Sequence, residues 1–402
     1  MSTSRPLVGG VIVLYFIIAL EVLVMISPFA AFFYAAFNPV LLFLARWPIT
    51  HWLADFFLPH MVLPPGAFLK TLRVVGSVLF VGGAVVFLIC AGQVYFHKFS
   101  RRGPALGGLY AWIRHPQYAA LAVTGLGLAI LWPRFLTVVL WTVMVGLYYL
   151  LARDEERRMT ATFGDQYRTY MSRTGMFLPR GVERGLSRIP GPRSAGLRAT
   201  LALGLFLVLT VGSAFALRAY TVARLPLWSN GQVSVLAILP GDAVMLQHRM
   251  EDVLQIPEVK SRLAKENGAV LGYMVPIQYV MQGMIADTDP AYRLYEHHQT
   301  MPMIADWIFH PFRHLEGGHA MMHHASAGTA PTGSPTARRI IFLRIFDSGG
   351  NVSGEEASSL FAIGAVRVPQ FFVDVDVHTL TLLEVKDLGT GTGWGHVPTP
   401  MF

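Results

Sequence analysis

The sequence predicts a membrane protein: an all-α multi-span core of about five transmembrane helices, including a helical hairpin, with an extra α+β extramembrane domain at the C-terminal end. Three observations carry this. The 402 residues are 53% hydrophobic and 14% charged, where soluble domains carry roughly 25% charged residues, and the mean hydropathy is +0.47. Several stretches are apolar over the length that a bilayer crossing needs, about 20 residues. Beyond residue 220 the pattern changes to shorter helical and alternating segments.

Segment 8–37 is the first expected span, with Glu21 as its only charge. It is longer than a signal-peptide core and lacks a clear small-residue cleavage site, so it reads as retained. Stretch 38–68 is mixed, holding Trp47, Trp52, Asp55, His60 and Pro64-Pro65. Aromatics and proline gather at the membrane–water level, so an interfacial or re-entrant helix suits it. Segment 74–95 is the second span. Segment 117–151 is long enough for two crossings and is broken at Trp132-Pro133-Arg134, where proline removes a backbone donor. This predicts a tight helical hairpin. Residues 181–198, rich in Gly, Pro and Arg, read as a cytoplasmic linker, and 199–219 as one additional span.

Lys and Arg set the expected orientation. Lys98, Arg101, Arg102 and Arg114 precede the hairpin, and Arg153, Arg157, Arg158, Arg168, Arg173, Arg180, Arg184, Arg188, Arg193 and Arg198 follow it. Both groups belong in the cytoplasm by the positive-inside rule. The N-terminus is then inside a cytoplasmic (inner) membrane, and residues 220–402 lie on its extracytoplasmic, periplasmic side. The formal charge of +8 reads as orientation beside anionic lipid. A nucleic-acid partner would need a basic face with interleaved aromatics, and none is visible. Cys90 is the single cysteine, so an intramolecular disulfide is excluded; in its apolar run it reads as packing.

The outer domain mixes helical patterns at 250–266 and 290–312 with strands at 339–346, 371–377 and 380–385, and a turn at Asp347–Asn351. Asp374, Asp376 and His378 alternate onto one strand face and read as its polar side.

The residues that carry chemistry flank the hairpin. Arg114-His115-Pro116-Gln117-Tyr118 stands before it, and Glu155-Glu156, Phe163-Gly164, Tyr167 and Tyr170 follow. Ionisable groups where spans enter and leave a bilayer are functional candidates by default. Each also has a plain reading. Arg114 snorkels at the interface. His115-Pro116 starts a helix. Glu155 and Glu156 pair along an exposed face with neighbouring arginines. Tyr167 and Tyr170 anchor the interface. It is their joint spacing that favours a site.

Together with Gly108-Leu109-Tyr110, Met159 and Pro179, this run resembles the C-terminal signature of the isoprenylcysteine carboxyl methyltransferase and phospholipid methyltransferase group, over residues 75–180 only. The resemblance implies a transmembrane methyltransferase-like domain over residues 1–180, with S-adenosylmethionine entering from the cytosol and a membrane lipid or lipid-linked acceptor from the bilayer. It implies Arg114, His115, Pro116 and Tyr118 on one side of the cofactor, and Glu155 and Glu156 opposite. Arg114, Glu156 and Arg153 are the catalytic candidates. His115, Pro116, Tyr118, Glu155, Tyr167 and Tyr170 are the cofactor-binding candidates. The chemistry agrees: a carboxylate accepts from the cofactor's amine or hydroxyls, Arg or His holds its carboxylate, and tyrosine faces stabilise its sulfonium.

A second constellation lies at His310, His314 and His319, near His297-His298, Met301, Met303 and His323-His324. Imidazole and thioether suit copper, and imidazole with carboxylate suits zinc. Two functions follow as expectations. One is an enzyme that methylates a carboxylate oxygen or an amine nitrogen of a lipid acceptor. The other is a membrane-anchored binding or assembly protein, its outer domain handling metal or docking a protein partner and its core inactive.

Overall fold

The computed structural model describes residues 38–59, 66–100, 103–188, 194–279, 282, 285, 286, 288, 335–347, 350–352 and 357–389. Segment 8–37 and the His/Met cluster, with His310, His314 and His319, lie outside the described residues. The described chain divides into two compact units. One takes Leu72–Trp132 and Thr137–Gly212; the other takes residues of Ala36–Thr71, Pro133–Leu136 and the chain from Ser213 onward.

The helices that lie wholly or mainly in the first unit are α3 (Ala67–Phe99), α4 (Pro116–Leu131), α5 (Phe135–Arg173), α6 (Arg180–Ser187) and α7 (Ala195–Val222), counted after two short ones described below. Three of them, α3, α5 and α7, are long and apolar enough to cross a membrane. Their large apolar side chains stay exposed, for example Val78 at 65%, Leu88 at 65% and Val208 at 67%. Water would penalise such surface, whereas acyl chains match it. The expected hairpin is α4 and α5, separated at Trp132-Pro133-Arg134. At 16 residues, α4 is about 24 Å long, shorter than a full hydrocarbon core. Five crossings are therefore not established among the described residues; three long apolar helices are.

Small residues bring helices of this unit into backbone contact. A Cβ placed on Gly127 of α4 would sit 2.3 Å from the Phe80 nitrogen and 2.6 Å from the Gly76 carbonyl of α3. Trp141 Nε1 donates to the Ala122 carbonyl at 2.8 Å, tying α5 to α4. Within the expected linker, α6 covers Arg180–Ser187.

In the second unit, α1 (Asn38–Ala45) and α2 (His51–Ala54) precede Asp55. Phe43 and Trp47 are exposed at 60% and 58%. The sheet holds β1 (Leu227–Ser229), β2 (Val233–Ala237), β3 (Val270–Pro276), β4 (Ala337–Asp347), β5 (Gly350–Asn351), β6 (Val366–Asp376) and β7 (Thr381–Asp387). Its order is β1-β2-β3-β4-β6-β7, with β5 on β4. Strands β2 and β3 run parallel and the other pairs antiparallel. The parallel pair requires a crossover, which α8 (Ala243–Leu254) and α9 (Pro257–Leu263) supply. Alternate residues serve opposite cores. Ile340 and Phe342 pack with Leu246 and Met250 of α8, while Ile341 and Leu343 pack with Phe361 beyond α10 (Ala357–Leu360). Both faces are thus covered.

Asp374 corrects one expectation. It is 4% exposed and forms a two-point ion pair with Arg339 at 2.6 and 2.7 Å, beneath which lies the Phe372 ring at 3.8 Å. Cross-strand pairing with β4 puts this position in the interior, so it is no solvated face. Asp376 instead closes the β6–β7 turn, accepting from the backbone N–H groups of His378 and Thr379 at 2.9 and 3.1 Å.

Candidate active site

His115 ends an extended approach and is the residue before α4, and Pro116 occupies the first helical position, where its missing N–H is no loss. The plain reading of that dipeptide holds, and so does its juxtaposition with the carboxylates. The chain after α5 runs alongside residues 113–115: Ile113 bridges Gly175 in parallel, Arg114 N–H donates to Gly175 O at 2.8 Å, and His115 N–H to Met176 O at 3.1 Å. This ladder fixes where both side chains start.

The Arg114 guanidinium is then held by three acceptors. Its Nε donates to Glu156 Oε1 at 2.5 Å, and its Nη1 donates to Met171 O at 3.2 Å and to Thr174 O. Met171 O belongs to the last turn of α5 and Thr174 O to the residue just past it, where helical partners for carbonyls run out. His115 is 2% exposed and lies between the two carboxylates. Its Nδ1 is 3.4 Å from Glu155 Oε2 and its Nε2 is 3.4 Å from Glu156 Oε1. Nε2 has no hydrogen bond of good geometry among the described residues. Burial opposes a charge on His115, but Glu155 and Glu156 outweigh it and raise its pKa above the ordinary histidine value.

Aromatic rings enclose this cluster. Tyr118 stacks on His115 at 5.6 Å and 21°, and on Tyr148 at 5.1 Å and 18°. Tyr167 and Tyr170 lie 5.5 Å apart, and the Tyr170 hydroxyl donates to Tyr110 O at 2.6 Å. They reach this position because α5 is broken at Gly164, whose φ of 53° and ψ of −127° are non-helical. Only glycine takes such a conformation without strain, which gives the Phe163-Gly164 pair of the sequence signature a physical reason.

Sequence reasoning missed two supporting residues. Glu183 Oε1 accepts from the backbone N–H groups of Met176, Phe177 and Leu178 at 2.7, 3.0 and 3.2 Å. It holds the turn that carries the partners of residues 114 and 115. A Cβ on Gly175 would meet Leu178 O at 1.8 Å, so that turn admits no side chain there. The readable signal was an acidic residue in the first turn of a helix after Pro179, a common capping arrangement.

One candidate stands apart. Arg153 is exposed, and its guanidinium donates to Tyr149 Oη at 3.0 Å while lying 5.8 Å from that ring. The structure gathers Arg114, His115, Pro116, Tyr118, Glu155, Glu156, Tyr167 and Tyr170, and places Arg153 against Tyr149. Among the described residues no group of three or more His, Cys, Asp or Glu side chains is arranged to hold a metal. Comparison of the chain with protein-family models, with curated proteins and with solved structures returns no match.

Proposed function

We propose that this chain is an integral-membrane methyltransferase that uses S-adenosylmethionine to methylate a lipid or lipid-linked acceptor at a carboxylate oxygen or an amine nitrogen. The observation that carries the reading is His115 set between Glu155 and Glu156, 3.4 Å from each, beside stacked tyrosines. A mere interface anchor would turn these charges outward.

The residues fit the cofactor's chemistry group by group. Glu155 retains 36% of its side-chain exposure and is the carboxylate free to accept from an amine or from ribose hydroxyls. His115 Nε2, buried without a good hydrogen bond, is a donor for the cofactor's carboxylate. Tyr118, stacked between His115 and Tyr148, backs the cluster, and the face of Tyr167 suits a sulfonium. S-adenosylmethionine, when bound, supplies a methyl group activated by that sulfonium. Glu156 and Arg114 satisfy one another and so act as the frame that positions His115. Placement of donor and acceptor can supply much of the rate enhancement in a displacement of this kind. Arg153 has no part in it.

The arginines that follow α5 favour a cytosolic site, with α7 carrying the chain back across the membrane. The test is binding of S-adenosylmethionine to the purified full chain by calorimetry. Binding lost in Glu155→Gln and in His115→Ala supports the reading; unchanged binding in both removes it.

A further inference from the structure

Helix α6 has two opposed sides. Val182 and Leu186, four residues apart, share one of them and are 50% and 53% exposed. Arg180, Arg184 and the capping residue Arg188, also four apart, share the opposite one. Arg184 and Arg188 are exposed. Leu178, just before the helix, is exposed as well. Glu183 lies between the two sides, and its carboxylate is held by the backbone N–H groups of Met176, Phe177 and Leu178. A roll of α6 that turned Val182 and Leu186 inward would pull Glu183 off that turn. The apolar side is therefore held outward.

Connectivity and charge indicate what covers it. The helix joins α5 to α7, two of the helices long and apolar enough to cross a membrane. From Arg188 to the start of α7 at Ala195 the chain reaches at most about 25 Å, so α6 stays close to the end of α7. Tethered in this way, two apolar side chains suffice for contact with the bilayer, because docking is intramolecular. Between residues 173 and 198 the sequence holds six arginines and one acid, Glu183, whose carboxylate already serves backbone donors. Such a segment complements a negatively charged surface.

We propose that α6 docks on an anionic bilayer surface. Val182 and Leu186 seat at the boundary of the acyl chains, while Arg184 and Arg188 reach the lipid headgroups with their stems along the interface. The contact bears on the candidate site. Glu183 joins α6 to the turn, and the turn supplies Gly175 O and Met176 O to the N–H groups of Arg114 and His115. A docked α6 steadies that ladder. The inference stands whether or not the chain transfers methyl groups.

The experiment places a nitroxide label at Leu186→Cys or, toward the arginine side, at Gly181→Cys, where an added Cβ meets nothing within 4 Å. The full chain is studied in nanodiscs of phosphatidylcholine, with and without phosphatidylglycerol. Native Cys90 is buried, and the wild type is the labelling blank. Collisions with oxygen, which enters lipid, are compared with collisions with a nickel chelate, which stays in water. The oxygen-to-nickel ratio is expected to be several-fold higher at 186 than at 181. Phosphatidylglycerol is expected to raise it further at 186, since two arginines near an anionic surface shift the docked-to-free ratio by roughly tenfold or more. Adding Arg184→Gln and Arg188→Gln should abolish that rise. Amide exchange at Arg114 and His115 should slow with phosphatidylglycerol in the wild type and not in the double variant. The proposal is overturned if the label at 186 meets the nickel chelate as freely as the label at 181. It is also overturned if that label is shielded from both reagents, which would mean that protein covers this side, or if phosphatidylglycerol leaves the ratio unchanged. Amide exchange that ignores lipid charge overturns the link to the candidate site.

Discussion

Arg114 Nε stands 2.5 Å from Glu156 Oε1, across 42 residues of sequence and a complete helical hairpin. Their side chains are 11% and 14% exposed, so each shields a charge that burial would otherwise penalise. The same guanidinium also donates to the Met171 and Thr174 carbonyls. Arg114→Ala is expected to cost about 3 kcal/mol of stability, the usual result of leaving a buried partner charge alone. Arg114→Lys should recover only part of this, because an ammonium cannot serve a carboxylate and two carbonyls in the same fork geometry. Thermal melts of the two variants in one detergent check the order; equal losses would contradict it.

His115 makes the stability depend on pH. Its pKa is raised in the folded chain by Glu155 and Glu156, which outweigh the effect of burial. A histidine of raised pKa stabilises most below its unfolded value of about 6.5, and that contribution fades as pH rises through the folded value. The melting temperature should therefore fall as pH rises from about 6.5 through the near-neutral range. In His115→Gln that segment of the profile should flatten. A wild-type melting curve that is level across this window would remove the assigned charge.

Gly164 offers a test of how the two tyrosines reach the cluster. Its φ of 53° with ψ of −127° lies where a Cβ is strongly disfavoured. Gly164→Ala should lose at least about 1 kcal/mol. It should also straighten α5 and carry Tyr167 and Tyr170 away from Glu155 and Glu156, so S-adenosylmethionine binding should weaken more than stability alone explains. Retained affinity in a folded Gly164→Ala protein would separate the kink from the site.

What the sequence made legible was set by periodicity and by local breaks. Trp132-Pro133 ends one helix because proline cannot continue it, and α4 and α5 divide there. The end of β6 was visible because Val373, Asp374, Val375 and Asp376 take turns, and β4 as an apolar run closed by the Asp347 turn. Strands β2 and β3 were not anticipated: their positions are almost all buried, so they read as plain apolar runs with no period. Long-range pairing was invisible for the same reason that it matters. The acidic residue after Pro179 announced a helix cap at Glu183, but not that the turn it holds runs alongside Arg114. Arg134 looked like a turn residue, yet it is wholly buried, its guanidinium donating to the Ala54 carbonyl. Asp55 looked like a polar residue of an interfacial stretch, yet it is 2% exposed.

Asp55 and Arg134 lead to the last expectation, which concerns the second unit alone. Asp55 Oδ2 accepts from Gly364 N–H at 2.9 Å. Arg218 Nη1 donates to the Phe56 carbonyl, and its Nη2 donates to Phe361 O at 2.7 Å. Arg218, Arg367 and Arg134 all bear electrostatically on the Asp55 carboxylate. One carboxylate thus lies in the field of three guanidinium groups, and it joins the stretch before α3 to the loop after α10. Asp55→Asn keeps the shape and an acceptor oxygen but removes the charge, which leaves buried cations without their counter-ion. The expected loss is about 3 to 5 kcal/mol, larger than one hydrogen bond would give. Arg134→Met should also destabilise, because the Ala54 carbonyl loses its donor. The double variant Asp55→Asn/Arg134→Met should be less destabilised than the two single losses added together, since the second change removes a charge that the first has stranded. Melting temperatures of the four proteins close this cycle; strict additivity would mean that the two side chains do not share an electrostatic field.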